Sequence, residues 1–271
     1  MKIFSKLFVV LFCALAVAPI AWHLSSSFKS ADEITRIPPT IIPGDATLSN
    51  YLGLFERRPF LAYCFNSFVI ASLSSILCVA AASLAAYPLA RARAQARSVA
   101  ASALLALAFF PTIVFLTPLY ELVRSAGLIN HPWGLIIPYA ALNLPMAIWL
   151  LTGYFQQIPV ELEEAAAIDG LSPLQTLTRI IAPLAGPALA AVVVLAFIFS
   201  WNEFMLALTF MNAEPAKTVT VAVATLSGAF VYDIPWGLIS AGVIVSSIPL
   251  IVLVLFFQRR IVAGLTAGSV K

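Results

Sequence analysis

Charged residues are scarce in this chain: they make up 10% of its 271 residues, whereas 62% are hydrophobic. Because a water-soluble domain carries about 25% charged residues, the composition excludes an ordinary soluble protein and predicts a membrane protein. The chain also lacks a Gly-x-x-x-x-Gly-Lys-Ser/Thr phosphate-binding loop, so we expect it not to bind ATP itself. Its three cysteines, Cys13, Cys64 and Cys78, lack metal-ligand spacing. We predict no metal site, no bound cofactor and no enzymatic activity.

The chain contains several long apolar runs with few or no charged residues. A helix needs about 20 apolar residues to cross the hydrocarbon of a bilayer, because unpaired backbone amides are costly there. The runs predict an all-α membrane protein, with one domain over residues 1–271 and six transmembrane helices. The predicted spans are residues 7–24, 63–90, 98–120, 133–152, 187–210 and 237–257. Since paired acids are missing from these spans, a proton-coupled carrier would lack its usual ionisable pathway.

Basic residues beside the apolar runs indicate the topology. They form three groups: Lys2 and Lys6; Arg91, Arg93 and Arg97; and Arg259 and Arg260. By the positive-inside rule, these groups predict that both termini and the segment 153–186 are cytoplasmic. Because the basic residues lie next to the predicted spans and not on an independent surface, we expect no nucleic-acid partner.

The first span has two interpretations. Lys2 and Lys6 precede an apolar run that contains Ala14-Leu15-Ala16, as in a secretory signal peptide. However, the run continues to Trp22, and no polar cleavage region follows Ala16. These features favour a retained membrane anchor, and the other spans keep their orientation in either case.

A polar segment, residues 159–183, separates the fourth and fifth spans. Its first part is predicted to be a short helix, with Glu161, Glu163 and Glu164 near the positive end of the helix dipole. Gly170 is predicted to be its left-handed C-terminal cap. An amphipathic helix resting on lipid is the alternative, but such helices usually carry Lys or Arg, and this one carries acids.

The second part of the segment predicts another helix. Ser172 and Gln175 form a Ser-x-x-Gln capping box at its start, and Pro183 is predicted to end it. The predicted apolar face consists of Leu174, Leu177, Ile180 and Ile181, whereas Thr176 and Arg179 are predicted to face water. In the first helix, Ala165 and Ala166 are predicted to be exposed beside Glu164, which can pair with a basic residue of a partner.

The same segment resembles a known pattern, Glu-Ala-Ala, three residues, Gly, nine residues, Ile-x-Leu-Pro, of permease subunits of binding-protein-dependent ABC importers. Ala182 departs from the usual Leu of that pattern. The resemblance implies that the segment is a cytoplasmic coupling helix between spans four and five that docks in a cleft of an ATPase subunit. The implied docking residues are Glu164, Ala165, Ala166, Asp169, Gly170, Leu174, Ile180 and Pro183.

The resemblance extends over nearly the whole chain, to the carbohydrate-importing subfamily related to the smaller membrane subunit of the maltose permease. Similar patches include Trp201-Asn202-Glu203-Phe204 and the tail from Gln258 to Thr266. The tail similarity implies that Gly264, Leu265 and Thr266 contact the ATPases. The implied partners are a second homologous permease subunit, two ATPase subunits that bind ATP and Mg, an external sugar-binding protein and membrane lipid. The implied location is the inner membrane of a bacterium or archaeon.

Residues suited to bind a sugar lie in or near the predicted spans. The candidates for a substrate pathway are Asn143, Trp149, Trp201, Asn202 and Glu203. Glu203 is the one acid placed within a span, and such residues usually face a polar cavity. A position near the outer interface, where the carboxylate reaches water, is the alternative for Glu203. An interfacial aromatic belt is the alternative for the tryptophans.

These observations predict a permease subunit of an ATP-driven sugar importer, which forms half of the translocation pathway. A secondary carrier and a non-transport membrane scaffold are the alternatives. The alternative substrates are glycerol phosphate and other polyol-like solutes. No motif in the chain identifies the sugar.

Overall fold

The computed structural model describes residues 2–226 and 234–267, and helices joined by loops make up this part of the chain. The helices are α1 (Lys2–Ser27), α2 (Ala31–Ile34), α3 (Ser49–Arg57), α4 (Phe60–Arg91), α5 (Ala94–Ala108), α6 (Leu116–Ser125), α7 (Trp133–Phe155), α8 (Glu161–Ile168), α9 (Pro173–Thr176), α10 (Ala182–Leu184), α11 (Gly186–Asn202), α12 (Met205–Phe210), α13 (Val219–Ala224) and α14 (Trp236–Ala267). The predicted all-α class is confirmed for the described residues.

Four of the described helices are long and apolar enough to cross a membrane. They are Lys6–Ser27, Phe60–Arg91, Trp133–Phe155 and Trp236–Gln258. Two bent pairs provide one further crossing each if a pair counts as one span: Ala94–Ala108 with Thr112–Ser125, and Pro173–Leu184 with Gly186–Asn202. The described residues therefore contain four to six candidate spans, and the predicted number of six depends on these two pairs.

The predicted span 98–120 is not one helix. The α5 helix ends at Ala108, and a 3-10 turn at Thr112–Phe115 precedes α6, with a bend of 80° between the two arms. Pro111 begins that turn with a φ of −61°, and its missing N–H removes the hydrogen bond that would continue α5. The bend therefore lies next to Pro111.

The predicted span 187–210 is interrupted as well. The α11 helix ends at Asn202, and Glu203 adopts an extended conformation with φ −66° and ψ 132° before α12 begins at Met205. The prediction that Asn202 and Glu203 are successive residues of one helix is therefore wrong. The physical reason is that the Glu203 carboxylate accepts hydrogen bonds from the N–H groups of Leu206 and Ala207 at the start of α12.

The chain divides into two compact units. The first contains Met1–Phe65 and Thr218–Leu250, and the second contains Asn66–Lys217 and Ile251–Lys271. In the first unit, Asn50 donates through Nδ2 to the carbonyl oxygens of Ser27 at 3.0 Å and Lys29 at 2.9 Å. A Cβ on Gly237 would lie 2.5 Å from the Asn50 side chain, so this glycine makes room for the amide. The amide thereby ties α3 to the end of α1.

The second unit has an alanine-rich core. Ala82, Ala86 and Ala90 recur every four residues along α4 and are buried there with Leu151 and Phe155 of α7. Small side chains at this spacing let neighbouring helix backbones approach closely. Leu177 and Ile181, from the polar segment 159–183, belong to the same core. The core therefore anchors the segment that carries the predicted docking residues.

A carboxylate of α2 accepts two hydrogen bonds from the loop between α2 and α3. Glu33 Oε1 accepts from the Gly44 N–H at 2.9 Å and from the Thr40 hydroxyl at 2.7 Å. The Gly44 and Thr40 bonds, with smaller contributions from Lys29 and Arg36, lower the pKa of Glu33 below its ordinary value of 4.5.

We expect this loop to loosen in acid. A carboxyl whose pKa is lowered by folding stabilises the folded loop fully above its unfolded pKa, and the stabilisation disappears as pH falls through the folded pKa. Hydrogen exchange at Gly44, corrected for the intrinsic rate, should therefore accelerate below a pH of about 4.5. Glu33→Gln should already exchange fast at neutral pH, whereas the control Asp32→Asn should behave like the wild type. Equal exchange in Glu33→Gln and wild type would refute the role of the carboxylate.

Candidate functional site

The α8 helix ends in two reverse hydrogen bonds. The Leu171 N–H donates to the Ala166 carbonyl at 2.9 Å, and the Gly170 N–H donates to the Ala167 carbonyl at 3.1 Å. Gly170 has a φ of +78°, in the left-handed region that favours glycine. This is the Schellman arrangement, and it confirms the predicted cap at Gly170.

The next helix begins with the predicted capping box. Ser172 Oγ accepts from the Gln175 N–H at 3.4 Å, and Gln175 Oε1 accepts from the Ser172 N–H at 2.8 Å. Pro173 occupies the first helical turn, where its missing N–H costs no hydrogen bond. The turn between α8 and α9 is therefore held at both ends by local bonds.

A π-helical turn, Leu177–Ile181, follows α9. The Ala182 N–H donates to the Leu177 carbonyl, five residues back, so this turn holds one residue more than an α-turn. Leu177 and Ile181 are buried, Ile180 is half-buried and Arg179 is exposed. The prediction for Arg179 is confirmed.

Two other predictions for this helix are wrong. Leu174 is 59% exposed and Thr176 is 4% exposed, the reverse of what regular helical spacing predicts. The extra residue of the π turn shifts the buried face, and the Thr176 hydroxyl can be buried because it donates to the Ser172 carbonyl at 3.1 Å. The helix ends at Leu184, one residue after Pro183.

Four exposed residues of α8 recur at the helical spacing of three and four residues and form one face: Glu161, Glu164, Ala165 and Ile168. We call it the exposed face of α8; Leu162 and Ala167 are exposed outside it. Ile168 is 87% exposed, which is unusual for a large aliphatic side chain. Ala166 is only 1% exposed, so the prediction that its side chain is exposed is wrong. The Ala166 side chain lies on the buried side of α8. Its backbone carbonyl accepts the capping hydrogen bond from the Leu171 N–H.

The remaining predicted docking residues differ in exposure. Asp169, Gly170 and Pro183 are exposed, and Ile180 is half-buried. The α14 backbone is helical through Gly264, Leu265 and Thr266, but these residues lie outside the part of the chain whose side chains the structure describes.

An ion pair that the sequence did not reveal connects α8 to the end of α4. Arg91 Nε donates to Glu163 Oε1 at 2.7 Å, and another nitrogen of the same guanidinium donates to the Ile158 carbonyl at 3.0 Å. Arg91 is 22% exposed and Glu163 is 16% exposed. The sequence marked Arg91 as a topology signal and Glu163 as a dipole partner, and only folding brings the two together. The ion pair therefore joins α8 to the end of α4.

Glu203 lies at the break between α11 and α12. Its carboxylate accepts from the N–H groups of Leu206 at 2.9 Å and Ala207 at 3.1 Å, and from the Tyr139 hydroxyl at 2.6 Å. A carboxylate at the start of a helix satisfies N–H groups that have no helical acceptor. This bonding accounts for the interruption of the predicted fifth span.

Asn143 shares Tyr139 with Glu203. The Asn143 Nδ2 donates to the Tyr139 carbonyl at 2.9 Å and to Ser200 Oγ at 3.3 Å, and the Ser200 hydroxyl is 3.0 Å from the Ser74 hydroxyl. We call these five residues, from α4, α7, α11 and the break after α11, the polar cluster. Tyr139, Ser200 and Ser74 were not predicted, although Tyr139 lies one helical turn before Asn143 on the same face.

The other three pathway candidates do not join the polar cluster. Trp201 is buried and stacks on Phe197, with ring centroids 5.6 Å apart. Asn202 is exposed and donates to the Ile198 carbonyl of its own helix at 2.8 Å. Trp149 lines a separate cavity between α5 and α7. Of the five predicted residues, the structure therefore brings only Asn143 and Glu203 into one hydrogen-bonded cluster, and the predicted pathway itself stays a prediction.

The match to a protein family covers most of these elements. Residues 78–266 match the family described as binding-protein-dependent transport system inner membrane component. The chain belongs to this family. Its members are transport permease subunits and not enzymes. The matched region contains α8, the Arg91–Glu163 pair and four of the five residues of the polar cluster, since Ser74 precedes it.

Curated relatives match along almost their whole length. The chain is 40% identical to the trehalose transport system permease protein SugB of Mycobacterium tuberculosis, over 94% of this chain and 93% of that protein. It is 39% identical to the trehalose/maltose transport system permease protein MalG of Thermococcus litoralis, over 97% and 94%. It is also 39% identical to the sulfoquinovosyl glycerol transport system permease protein SmoH of Agrobacterium fabrum, over 93% and 88%.

Solved structures show the same fold. A chain in the crystal structure of a bacterial ABC transporter involved in the import of the acidic polysaccharide alginate has a TM-score of 0.77 at 24% identity, with 95% of both chains covered. A chain of the alginate ABC transporter in complex with an alginate pentasaccharide-bound periplasmic protein has a TM-score of 0.60 at 15% identity, covering 95% of this chain and 93% of that chain. These likenesses confirm the predicted fold class.

Proposed function

We propose that this chain is a permease subunit of an ATP-driven sugar importer, which forms half of the translocation pathway. The observation that carries the proposal is the exposed face of α8, where the Glu-Ala-Ala motif of the family ends in a rigid left-handed cap. In the assembled importer, this face docks on an ATPase subunit that binds ATP and Mg. A second homologous permease and a second ATPase complete the membrane complex.

The chemistry of the α8 face suits a cleft in a partner protein. Ala165 has a small side chain that lets another backbone approach closely, and the exposed Ile168 can fill an apolar pocket. The exposed Glu164 carboxylate can pair with a basic residue of the ATPase. Because the Schellman cap and capping box hold the turn after α8, little conformational entropy is lost when the face docks.

The substrate proposed here is a sugar or a glycoside. Three relatives named for trehalose, trehalose/maltose and sulfoquinovosyl glycerol transport support this class. The polar cluster contains hydroxyl, amide and carboxylate groups of the kinds that bind sugar hydroxyls. An external sugar-binding protein would deliver the substrate, as the periplasmic protein in the related alginate complex suggests.

The proposed mechanism is alternating access. ATP-driven closure of the ATPases pulls the α8 helices of the two permeases together and opens the pathway outward to the binding protein. Reopening after hydrolysis turns the pathway inward and releases the sugar. In this chain the Arg91–Glu163 pair passes the movement of α8 to α4, since the two helices are joined there. In this proposal both termini and α8 lie in the cytoplasm, and the tail residues Gly264, Leu265 and Thr266 contact the ATPases.

Variants of the α8 face test this proposal in proteoliposomes that contain the whole importer. Ala165→Trp and Glu164→Lys should each lower ATP-dependent sugar uptake about tenfold or more, because the loss of a hot-spot residue at the centre of an interface costs at least about 2 kcal/mol. The control Glu121→Lys makes the same charge change at an exposed position of α6 and should keep uptake within about twofold.

Three results would contradict the proposal. The first is unchanged uptake in both α8 variants with the complex still assembled, which would remove α8 from coupling. Uptake by this chain alone along an ion gradient would indicate a secondary carrier. A failure of every sugar to compete, together with competition by glycerol phosphate, would replace the proposed substrate class.

A further inference from the structure

A cavity of about 550 Å³ lies between α5 and α7, away from the polar cluster. It extends along α5 from Ala94 to Leu104 and along α7 from Trp149 to the end of that helix. Ten residues of helix correspond to a length of about 15 Å. The cavity is therefore long enough to hold an extended chain and not only a compact molecule.

The lining of the cavity changes along its length. Around Ala101 and Leu104 in the second half of α5, and around Leu150 of α7, the walls are apolar. Toward the start of α5 and the end of α7, the lining contains polar side chains, among them Arg97 and Gln156. This gradient suits an amphiphile with an apolar chain and a polar head, whereas a sugar would need polar groups along the whole cavity.

Arg97 supplies the positive charge at the polar end. It is the one charged residue among the described residues that line the cavity. In the described part of the chain it pairs with no carboxylate, and its guanidinium donates to the carbonyls of Ala90 and Ala92 at long distances of 3.4 Å. A half-buried guanidinium with weak internal bonds can still form strong hydrogen bonds to a phosphate.

We propose that this cavity binds an anionic phospholipid of the cytoplasmic leaflet, with its phosphate on Arg97 and an acyl chain between α5 and α7. Basic pockets between transmembrane helices on the cytoplasmic side are a known way to bind anionic headgroups. The assignment of the leaflet rests on the proposed orientation of the chain. Because α7 leads directly into the segment that contains α8, the bound lipid would stabilise the end of α7, which precedes the exposed face of α8.

Photolabelling of the assembled importer in nanodiscs tests the site without requiring transport. One sample contains phosphatidylglycerol with a photoactivatable acyl chain, and the other contains phosphatidylcholine with the same chain at the same fraction. Mass spectrometry maps the lipid adducts on peptides of α5 and the end of α7. We expect several-fold more adducts with phosphatidylglycerol, and Arg97→Gln should reduce that excess about fivefold, the effect of roughly one basic contact near an anionic surface.

The matched control is Arg93→Gln. Arg93 is exposed, lies one turn before Arg97 and does not line the cavity, so this variant removes the same charge and should keep the labelling. Leu104→Trp is a second test, since it fills the apolar part of the cavity with no change in charge and should also reduce the adducts. It keeps the proposal testable if Arg97→Gln fails to assemble.

Several results would overturn the proposal. Equal labelling by the two lipids would exclude selection of an anionic headgroup. Equal loss in Arg93→Gln and Arg97→Gln would indicate a diffuse basic surface and no site. Protection of the cavity by the transported sugar, or by glycerol phosphate, would identify it as part of the substrate path. In contrast, normal lipid labelling in an assembled importer that fails to transport sugar would count against the proposed function and would support this lipid site.

Discussion

Glu163→Gln is expected to lower ATP-dependent uptake about tenfold in the reconstituted importer, even though Glu163 does not lie on the exposed face of α8. The variant removes the carboxylate that accepts from Arg91 and leaves a mostly buried guanidinium without its charged partner. A charged hydrogen bond contributes about 1.5–3 kcal/mol, and the partial exposure of both side chains favours the lower end of that range. Without this bond, α8 can move while α4 stays in place.

The measurement that isolates this effect compares uptake with ATP hydrolysis. If Glu163 positions α8, Glu163→Gln should hydrolyse more ATP per sugar imported, whereas a purely structural defect would lower both rates together. The double variant Arg91→Glu/Glu163→Arg exchanges the two charges. It should recover part of the uptake that is lost in each of the two single variants. Glu121→Gln, an exposed position on α6, should match the wild type. Similar coupling ratios in Glu163→Gln and Glu121→Gln would disprove the positioning role.

Gly134→Ala is expected to destabilise the protein by about 3 kcal/mol. A Cβ at Gly134 would lie 2.3 Å from the Leu128 carbonyl oxygen and 3.2 Å from a methyl carbon of Val123. The first contact is with backbone, which cannot rotate away as a side chain can. The turn before α7 is held by bonds from Leu128 to Val123 and from Gly134 to His131, so any relief must break part of this turn.

Thermal unfolding of the purified importer in detergent measures the Gly134→Ala effect. The control is Gly153→Ala in the same helix, where a Cβ would meet no atom within 4 Å. That control should unfold at or slightly above the wild-type temperature, because alanine favours a helix over glycine by up to about 1 kcal/mol. Equal midpoints for Gly134→Ala and Gly153→Ala would show that the turn adapts at little cost.

Local features of the segment 159–183 were predictable because the bonds that form them join residues a few positions apart. The cap at Gly170 needs only a residue that tolerates positive φ, and the Ser172–Gln175 box needs two side chains three residues apart. The burial of Thr176 and the exposure of Leu174 were not predictable in the same way. They depend on the π turn, which regular helical spacing does not anticipate.

Among the substrate-pathway candidates, too, some features were predictable from the sequence and others were not. The sequence identified Asn143 and Glu203 by chemistry, since amides and carboxylates are rare within apolar spans. It did not reveal that Tyr139 joins them, because aromatic residues in a span are more often packing or interface residues. Trp201 was suited to a sugar by chemistry but is buried against Phe197, which only the packing of α11 decides.

The sequence alone specified the all-α membrane class, the position of the polar segment and the helix caps within that segment. Each of these depends on composition or on bonds between near neighbours. Tertiary structure alone decided three further features: the pairing of Arg91 with Glu163, 72 residues apart; the bond from Tyr139 to Glu203, 64 residues apart; and the burial of Ala166. These contacts depend on how α4, α7 and α11 pack, and one chain's helical periodicity does not specify which faces meet. The docking segment is thus encoded locally, whereas its attachment to the membrane helices is set by the fold.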